Sequence, residues 1–171
     1  MNDIYTSYLH DMDVVDLHES VLETLDDLKE RFHWAKDDYS LDDAENFVAM
    51  CDNTHRIFAV RRSSNGRFLG IVSLTMISVC NKTALLGCWV RKSEAGKGIA
   101  TEAMQQMIAY ASRNYPDVHR IEVLCAEDNL AMQKCMEKLK ANKEGILKHR
   151  IWRSGKVYDA YIYSFIKRNP R

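Results

Sequence analysis

Apolar residues along this chain change period several times, and each change marks an element. Leu17, Val21, Leu25 and Leu28 recur at helical spacing and predict an amphipathic helix over Asp16–Phe32, preceded by a strand at Tyr5–Leu9. Ser40-Leu41-Asp42-Asp43 reads as an N-cap with an acidic first turn, opening a helix to about Met50. Strands follow at Arg56–Arg62, Phe68–Val79 and Thr83–Val90, with turns at Ser64-Asn65-Gly66 and Asn81-Lys82. Ala100–Tyr115 is a helix that Pro116 cannot continue, Arg120–Cys125 a buried strand, and Asn129–Lys140 another helix. Glu144–Trp152 and Lys156–Ile166 form a hairpin across Ser154-Gly155, with alternation at Val157, Asp159, Tyr161 and Tyr163. This order predicts an α/β fold: a mixed sheet with helices on its faces.

Composition narrows the class. The chain has 171 residues, enough for one substantial core, and only two prolines and seven glycines, so one domain over 1–171 with no long linker is expected. Formal net charge is zero, which argues against a general nucleic-acid or membrane-surface binder. The start is polar, without the pattern of a signal peptide, and no apolar run approaches ~18 residues, so a cytoplasmic chain without a membrane span is expected. The five cysteines include no C-x-x-C pair and read as reduced, buried thiols. The six histidines show no metal spacing, and no metal is expected.

Chemistry concentrates at Gly96-Lys97-Gly98-Ile99-Ala100-Thr101-Glu102-Ala103, between the strand ending at Val90 and a helix start. The first turn of a helix carries N–H groups without internal partners and partial positive charge, and glycines let the main chain approach a phosphate. A phosphate or pyrophosphate compound is the ligand this arrangement suits.

Several segments in order resemble one family. Ala95-Gly96-Lys97-Gly98-Ile99-Ala100 falls on the phosphate loop Q/R-x-x-G-x-G/A of GNAT acetyltransferases, with Ala95 at its first position. Trp34, Asn81-Lys82-Thr83-Ala84 with Gly87-Cys88-Trp89-Val90, and Ala100-Thr101-Glu102-Ala103 resemble the "WL-x-W", "NKTAEIGYW" and "ATEA" elements of the RimJ/RimL-like branch, which acetylates ribosomal proteins. Lys138-Leu139 with Glu144-Gly145-Ile146-Leu147-Lys148, and Asp159-Ala160-Tyr161-Ile162-Tyr163-Ser164, resemble its "KLGF-x-x-EGxL" and "D-x-x-x-YS" segments.

The resemblance implies a mostly antiparallel sheet of about seven strands and about four helices, splayed between the fourth and fifth strands, with acetyl-CoA as co-substrate. Carried over by position, Cys88, Trp89, Val90 and Arg91 line pantetheine, and Gly96, Lys97, Gly98, Ile99, Ala100 and Thr101 hold pyrophosphate. Asn129 touches the pantetheine arm, and Lys134 or Lys138 reaches the nucleotide phosphates. A backbone N–H near Cys88 to Val90 stabilises the oxyanion.

The family's usual acid and base positions are occupied here by Leu85, Ser78, Met132 and Met136. Glu122 is the remaining catalytic candidate, acting through water, with Glu102, Cys135, Tyr39 and His33 behind it. The expected reaction is acetyl transfer to a primary amine in a ternary complex, the acceptor being a protein N-terminal α-amine, a polyamine or an amino acid. A CoA-binding module without catalysis, and transfer of a longer acyl group, are the other readings. The acidic residues from Asp26 to Glu45 either draw a cationic amine or form a solvated face. The C-terminal hairpin leaves monomer and homodimer both open.

Overall fold

The computed structural model describes residues 3–52, 55–153 and 155–167. It contains β1 (Ile4–Tyr8), α1 (Val14–Lys29), α2 (Leu41–Ala49), β2 (His55–Arg62), β3 (Phe68–Ser78), β4 (Thr83–Val90), α3 (Ile99–Asn114), β5 (Arg120–Ala126), α4 (Leu130–Lys138), β6 (Asn142–Arg153) and β7 (Lys156–Ile166). The strands form one sheet in the order β1-β2-β3-β4-β5-β7-β6, antiparallel except for β4 beside β5. The expected seven strands and four helices are therefore present.

Period-two alternation explains why β2 reads as a continuous apolar run, Ile57-Phe58-Ala59-Val60. Ile57 and Ala59 pack with Leu17, Val21, Leu28 and Val48 of α1 and α2. Phe58 and Val60 pack on the other face, with Met104 and Met107 of α3 and Met136 of α4. A strand buried on both faces needs apolar residues at every position.

Element ends moved where capping decides them. Ser40 caps α2 in a capping box with Asp43, as its sequence implies. Helix α1 ends at Lys29, three residues before Phe32, with the N–H groups of Arg31 and Phe32 both turned onto the Leu28 carbonyl. Asn129 lies just outside α4, where its side chain accepts from Met132 N–H. Lys140, at φ +56°, ends that helix without a glycine.

The five cysteines are free thiols. Cys125 and Cys135 are buried and Cys51 and Cys88 half-buried, but Cys80 is exposed, because it sits in the turn between β3 and β4. Among the described residues no helix is long and apolar enough to cross a membrane, and no cluster of His, Cys, Asp or Glu could hold a metal.

Candidate active site

β4 and β5 pair only at Thr83↔Arg120, Ala84↔Ile121 and Leu85↔Glu122, and then diverge. The gap is a cleft of about 640 Å³, walled by Cys88, Trp89 and Val90 on one side and Val123, Leu124 and Ala126 on the other. Arg91 N–H donates to Leu69 O on β3 at 2.7 Å. Strand alternation therefore turns the N–H groups of Leu86, Cys88 and Val90 toward the cleft.

The cleft ends on the start of α3. Gly98 is the N-cap at φ +81°, a left-handed conformation that favours glycine, and α3 has no side-chain cap. Helices α2 and α4 are capped by Ser40 and Asn129. The first-turn N–H groups at Ile99, Ala100 and Thr101 are thus left for a ligand, as an anion site requires. Gly96, at φ +77°, lines the same wall.

Of the cofactor residues expected from sequence, Cys88, Trp89, Val90, Gly96, Gly98, Ile99, Ala100, Thr101 and Asn129 line this cleft together. Arg91 and Lys97 do not. The Arg91 side chain turns to α1, where Nη1 donates to Glu23 Oε2 at 2.9 Å. Lys97 Nζ donates to Glu94 Oε2 at 3.1 Å. Lys134 and Lys138 line the cleft from α4, with exposed side chains. Asn129 spends its Oδ1 on the α4 cap, which leaves its amide nitrogen as the group to offer.

Glu94 is the residue that motif reading passes over. A carboxylate two positions before Gly96 reads as repulsive to phosphate. Here it is 4% exposed, bonded to Arg62 and Lys97 and paired with Arg67. Burial alone would raise its pKa, but Lys97 and Arg62 outweigh burial and hold the carboxyl below the usual range. It anchors the glycine loop to β2. No local pattern signals this, because Arg62 lies more than 30 positions earlier.

Glu122 lies outside the cleft. It sits opposite Leu85, where β4 and β5 are still paired, and its Oε1 accepts from Arg120 Nε at 2.6 Å. Ser78 Oγ accepts a turn N–H from Asn81, and Met136 is buried in the core. Met132 lines the cleft. Tyr39 is buried, and burial pushes its hydroxyl up to about 12. His33 is exposed, and Glu102 half-buried in the first turn of α3. Cys135 also lines the cleft, accepting from Thr101 Oγ1 at 3.2 Å, and burial raises its thiol pKa.

A second cavity of about 500 Å³ lies on the α1/α2 face of the sheet. Phe32, Trp34 and Phe47 form its aromatic wall, with ring centroids of Trp34 5.5 Å from Phe32 and 5.8 Å from Phe47. Its polar lining includes Ser73, Thr75, Asp52 and His55. Phe32, Gly87, Cys88 and Trp89 line both cavities, so β4 is their shared wall. Gly87 keeps that wall thin: a Cβ there would stand 3.1 Å from Ser73 Oγ. Of the acidic run from Asp26 to Glu45, Asp27 faces the cleft. Asp37, Asp38 and Asp43 instead pair with Lys29 and Lys36.

A family model described as an acetyltransferase (GNAT) domain matches residues 8–142. The chain belongs to the GNAT acetyltransferase family. YdaF of Bacillus subtilis (strain 168) is 29% identical over 104 residues, 61% of this chain and 56% of that protein. The ribosomal-protein-serine acetyltransferase of Escherichia coli (strain K12) is 28% identical over 98 residues, 57% of this chain and 54% of that protein. The match thus spans just over half the length of each of these curated relatives. A ribosomal L7/L12 α-N-protein acetyltransferase, RimL, solved with coenzyme A, superposes with a TM-score of 0.89 at 21% identity. That match covers 98% of this GNAT chain and 96% of the other and establishes the shared splayed fold.

Proposed function

We propose that this GNAT acetyltransferase moves an acetyl group from acetyl-CoA to the N-terminal α-amine of a protein, directly, within a ternary complex. The observation that carries the reading is the shared wall. Donor cleft and second cavity meet at Gly87, Cys88 and Trp89, so an amine from one side reaches an acyl group from the other. The ribosomal-protein acetyltransferase among its relatives, and the RimL fold, support this acceptor class.

Acetyl-CoA supplies an activated thioester. The uncapped start of α3, with Gly96 and Gly98, suits its pyrophosphate, and the free edge of β4 suits an extended amide-bearing arm. Backbone N–H groups of Cys88 or Val90 are placed to steady the developing oxyanion. Cys88 itself is an unsuitable nucleophile, because burial pushes its thiol far above the usual range. Direct attack is therefore favoured over an acyl-cysteine intermediate.

An α-amine of pKa ~7.8 is roughly 14% neutral at pH 7, against roughly 0.04% for a lysine-like amine near ~10.4. An α-amine thus needs little help from a base. His55, whose N–H and ring both approach Asp52 Oδ1, lines the second cavity. Glu122, bound to Arg120, is expected to matter little: Glu122→Gln should lower kcat by less than about tenfold.

The test is acceptor-dependent CoA release at pH 7 and 8.5, with N-terminal peptides, polyamines and free amino acids, and a no-acceptor control for the protein's own thiols. Peptides should win, and reciprocal plots should intersect. Preference for a polyamine, or stabilisation by CoA without turnover, would overturn the reading.

A further inference from the structure

Two arginines that the transfer chemistry does not use line the cleft, Arg153 and Arg31. Arg153 closes β6 and lines the cleft with its side chain 6% exposed. Its guanidinium lies over the Tyr158 ring, 3.8 Å from the centroid, and one Nη2 proton goes to Asp128. Its Nε is buried without a hydrogen-bond partner. An unmet donor on a desolvated cation is unfavourable by more than a neutral one, and a planar guanidinium suits a carboxylate in particular.

Arg31 lines the same cleft from the turn after α1. Its side chain is exposed and makes no ion pair among the described residues. Its neighbour Phe32 lines both cavities, so Arg31 stands beside the wall that the cleft shares with the second cavity. The other acidic residues of the cleft are Asp27, a turn earlier on α1 and 4.0 Å from Lys92 Nζ, and Glu94, already neutralised. Asp128 is about half exposed and balances one of the two arginines. This part of the cleft thus carries a positive charge at Arg31 that no ion pair among the described residues balances, beside an Arg153 guanidinium whose Nε is shut off by burial and whose Nη1 makes no hydrogen bond among the described residues.

Resting on the proposed acetyl transfer, we propose that Arg153 and Arg31 form an anion subsite that takes an acid group of the acceptor close to its reacting amine. The shared chemistry is a carboxylate, borne either by an acidic side chain near a peptide's N-terminus or by the C-terminus of a very short acceptor. Polycations are disfavoured by the same charges.

The test compares matched acceptors: Ser-Asp-Ala-Ala amide against Ser-Asn-Ala-Ala amide, and Ser-Ala against Ser-Ala amide. The acidic member of one pair should show at least a ~10-fold higher kcat/KM, carried by KM. The winning pair tells which source of carboxylate is used. Arg153→Gln should abolish the preference while the KM for acetyl-CoA holds, and Arg31→Gln, at an exposed site that spares the core, should weaken it. Equal rates within both pairs overturn the subsite, as does an Arg153→Gln effect on acetyl-CoA alone. Should no acceptor turn over, the N-terminal acceptor reading fails. The subsite is then decided by calorimetric titration of the same peptides into CoA-loaded protein. Binding of an acidic member that Arg153→Gln removes supports it, and no acid preference overturns it.

Discussion

Gly70 of β3 passes so close to Trp89 of β4 that a Cβ at Gly70 would stand 2.2 Å from the Trp89 carbonyl oxygen. The same Cβ would lie 2.7 Å from Val90 Cα, and Gly70 has φ +151°. Both offending atoms are backbone, so nothing nearby can swing aside. Gly70→Ala should therefore destabilise the fold by about 3 kcal/mol or more, read as a lower urea midpoint. Gly66→Ala is the control. It carries the strain of φ +72° with nothing within 4 Å of its Cβ, and should lose only about 1 kcal/mol.

If the open first turn of α3 receives the CoA pyrophosphate as proposed, binding should be sensitive to what stands at Gly98. At a hundredfold excess over Kd, CoA should stabilise the protein by about 2.7 kcal/mol, raising Tm by roughly 5–10 °C. A side chain at Gly98 meets an unfavourable φ of +81° and crowds the exposed N–H groups. Gly98→Val should erase most of that shift and raise the KM for acetyl-CoA at least ~10-fold. Differential scanning fluorimetry with and without CoA checks the first, and initial rates the second.

Thiol labelling should resolve the cysteines by environment. Burial raises the thiols of Cys51 and Cys125 to about 11, and that of Cys88 higher still, whereas Cys80 is exposed in a turn. At pH 8 a thiol of pKa ~11 is only about 0.1% thiolate. One equivalent should react quickly with a chromogenic disulfide, and Cys80→Ser should remove that phase. That variant is the better background for measuring CoA release.

The acid limb of stability should report Glu144. Arg120, whose Nη1 and Nη2 bond both carboxylate oxygens at 2.7 and 2.6 Å, and the Ser164 hydroxyl hold Glu144 at about 2. The unfolded value is ~4.3. A depressed folded pKa stabilises above the unfolded value and is lost as pH falls from ~4.3 toward ~2. Arg120→Gln should lower Tm at pH 7 and flatten its fall across that window. An unchanged slope would show that Glu144 gains nothing from Arg120.

Apolar periods and runs, with caps and turn residues between them, located the strands and α-helices, because burial on one or both faces of an element leaves a local imprint in sequence. The glycine loop was legible for the same local reason: backbone at φ +77° and +81° calls for glycine. Side-chain direction was not. Arg91 follows the cleft-lining segment without a break, yet turns toward Glu23, 68 positions earlier. Lys97 sits among the phosphate-loop residues, but a buried Glu94 holds it. Arg153 drew no notice in sequence, because Tyr158 and Asp128, which enclose it, are brought to it only by the fold. Glu122 was placed on the correct strand, but the residue at which β4 and β5 part is set by sheet twist and packing, which no pattern in either strand reveals.

Three residue pairs join β4 to β5, so the sheet carries an unzipped seam in its middle. An unpaired strand margin on a protein's outside invites any extended polypeptide to stick. This one is recessed between helices, and the walls decide who may pair with it by girth. A polypeptide strand, with side chains branching from every residue, asks more room of those walls than a bare chain does. A slim, unbranched thread bearing amide groups along its length can slide in and complete the ladder. The same backbone groups that would be an aggregation hazard on a rim become, when set inward, a gauge for the shape of the donor.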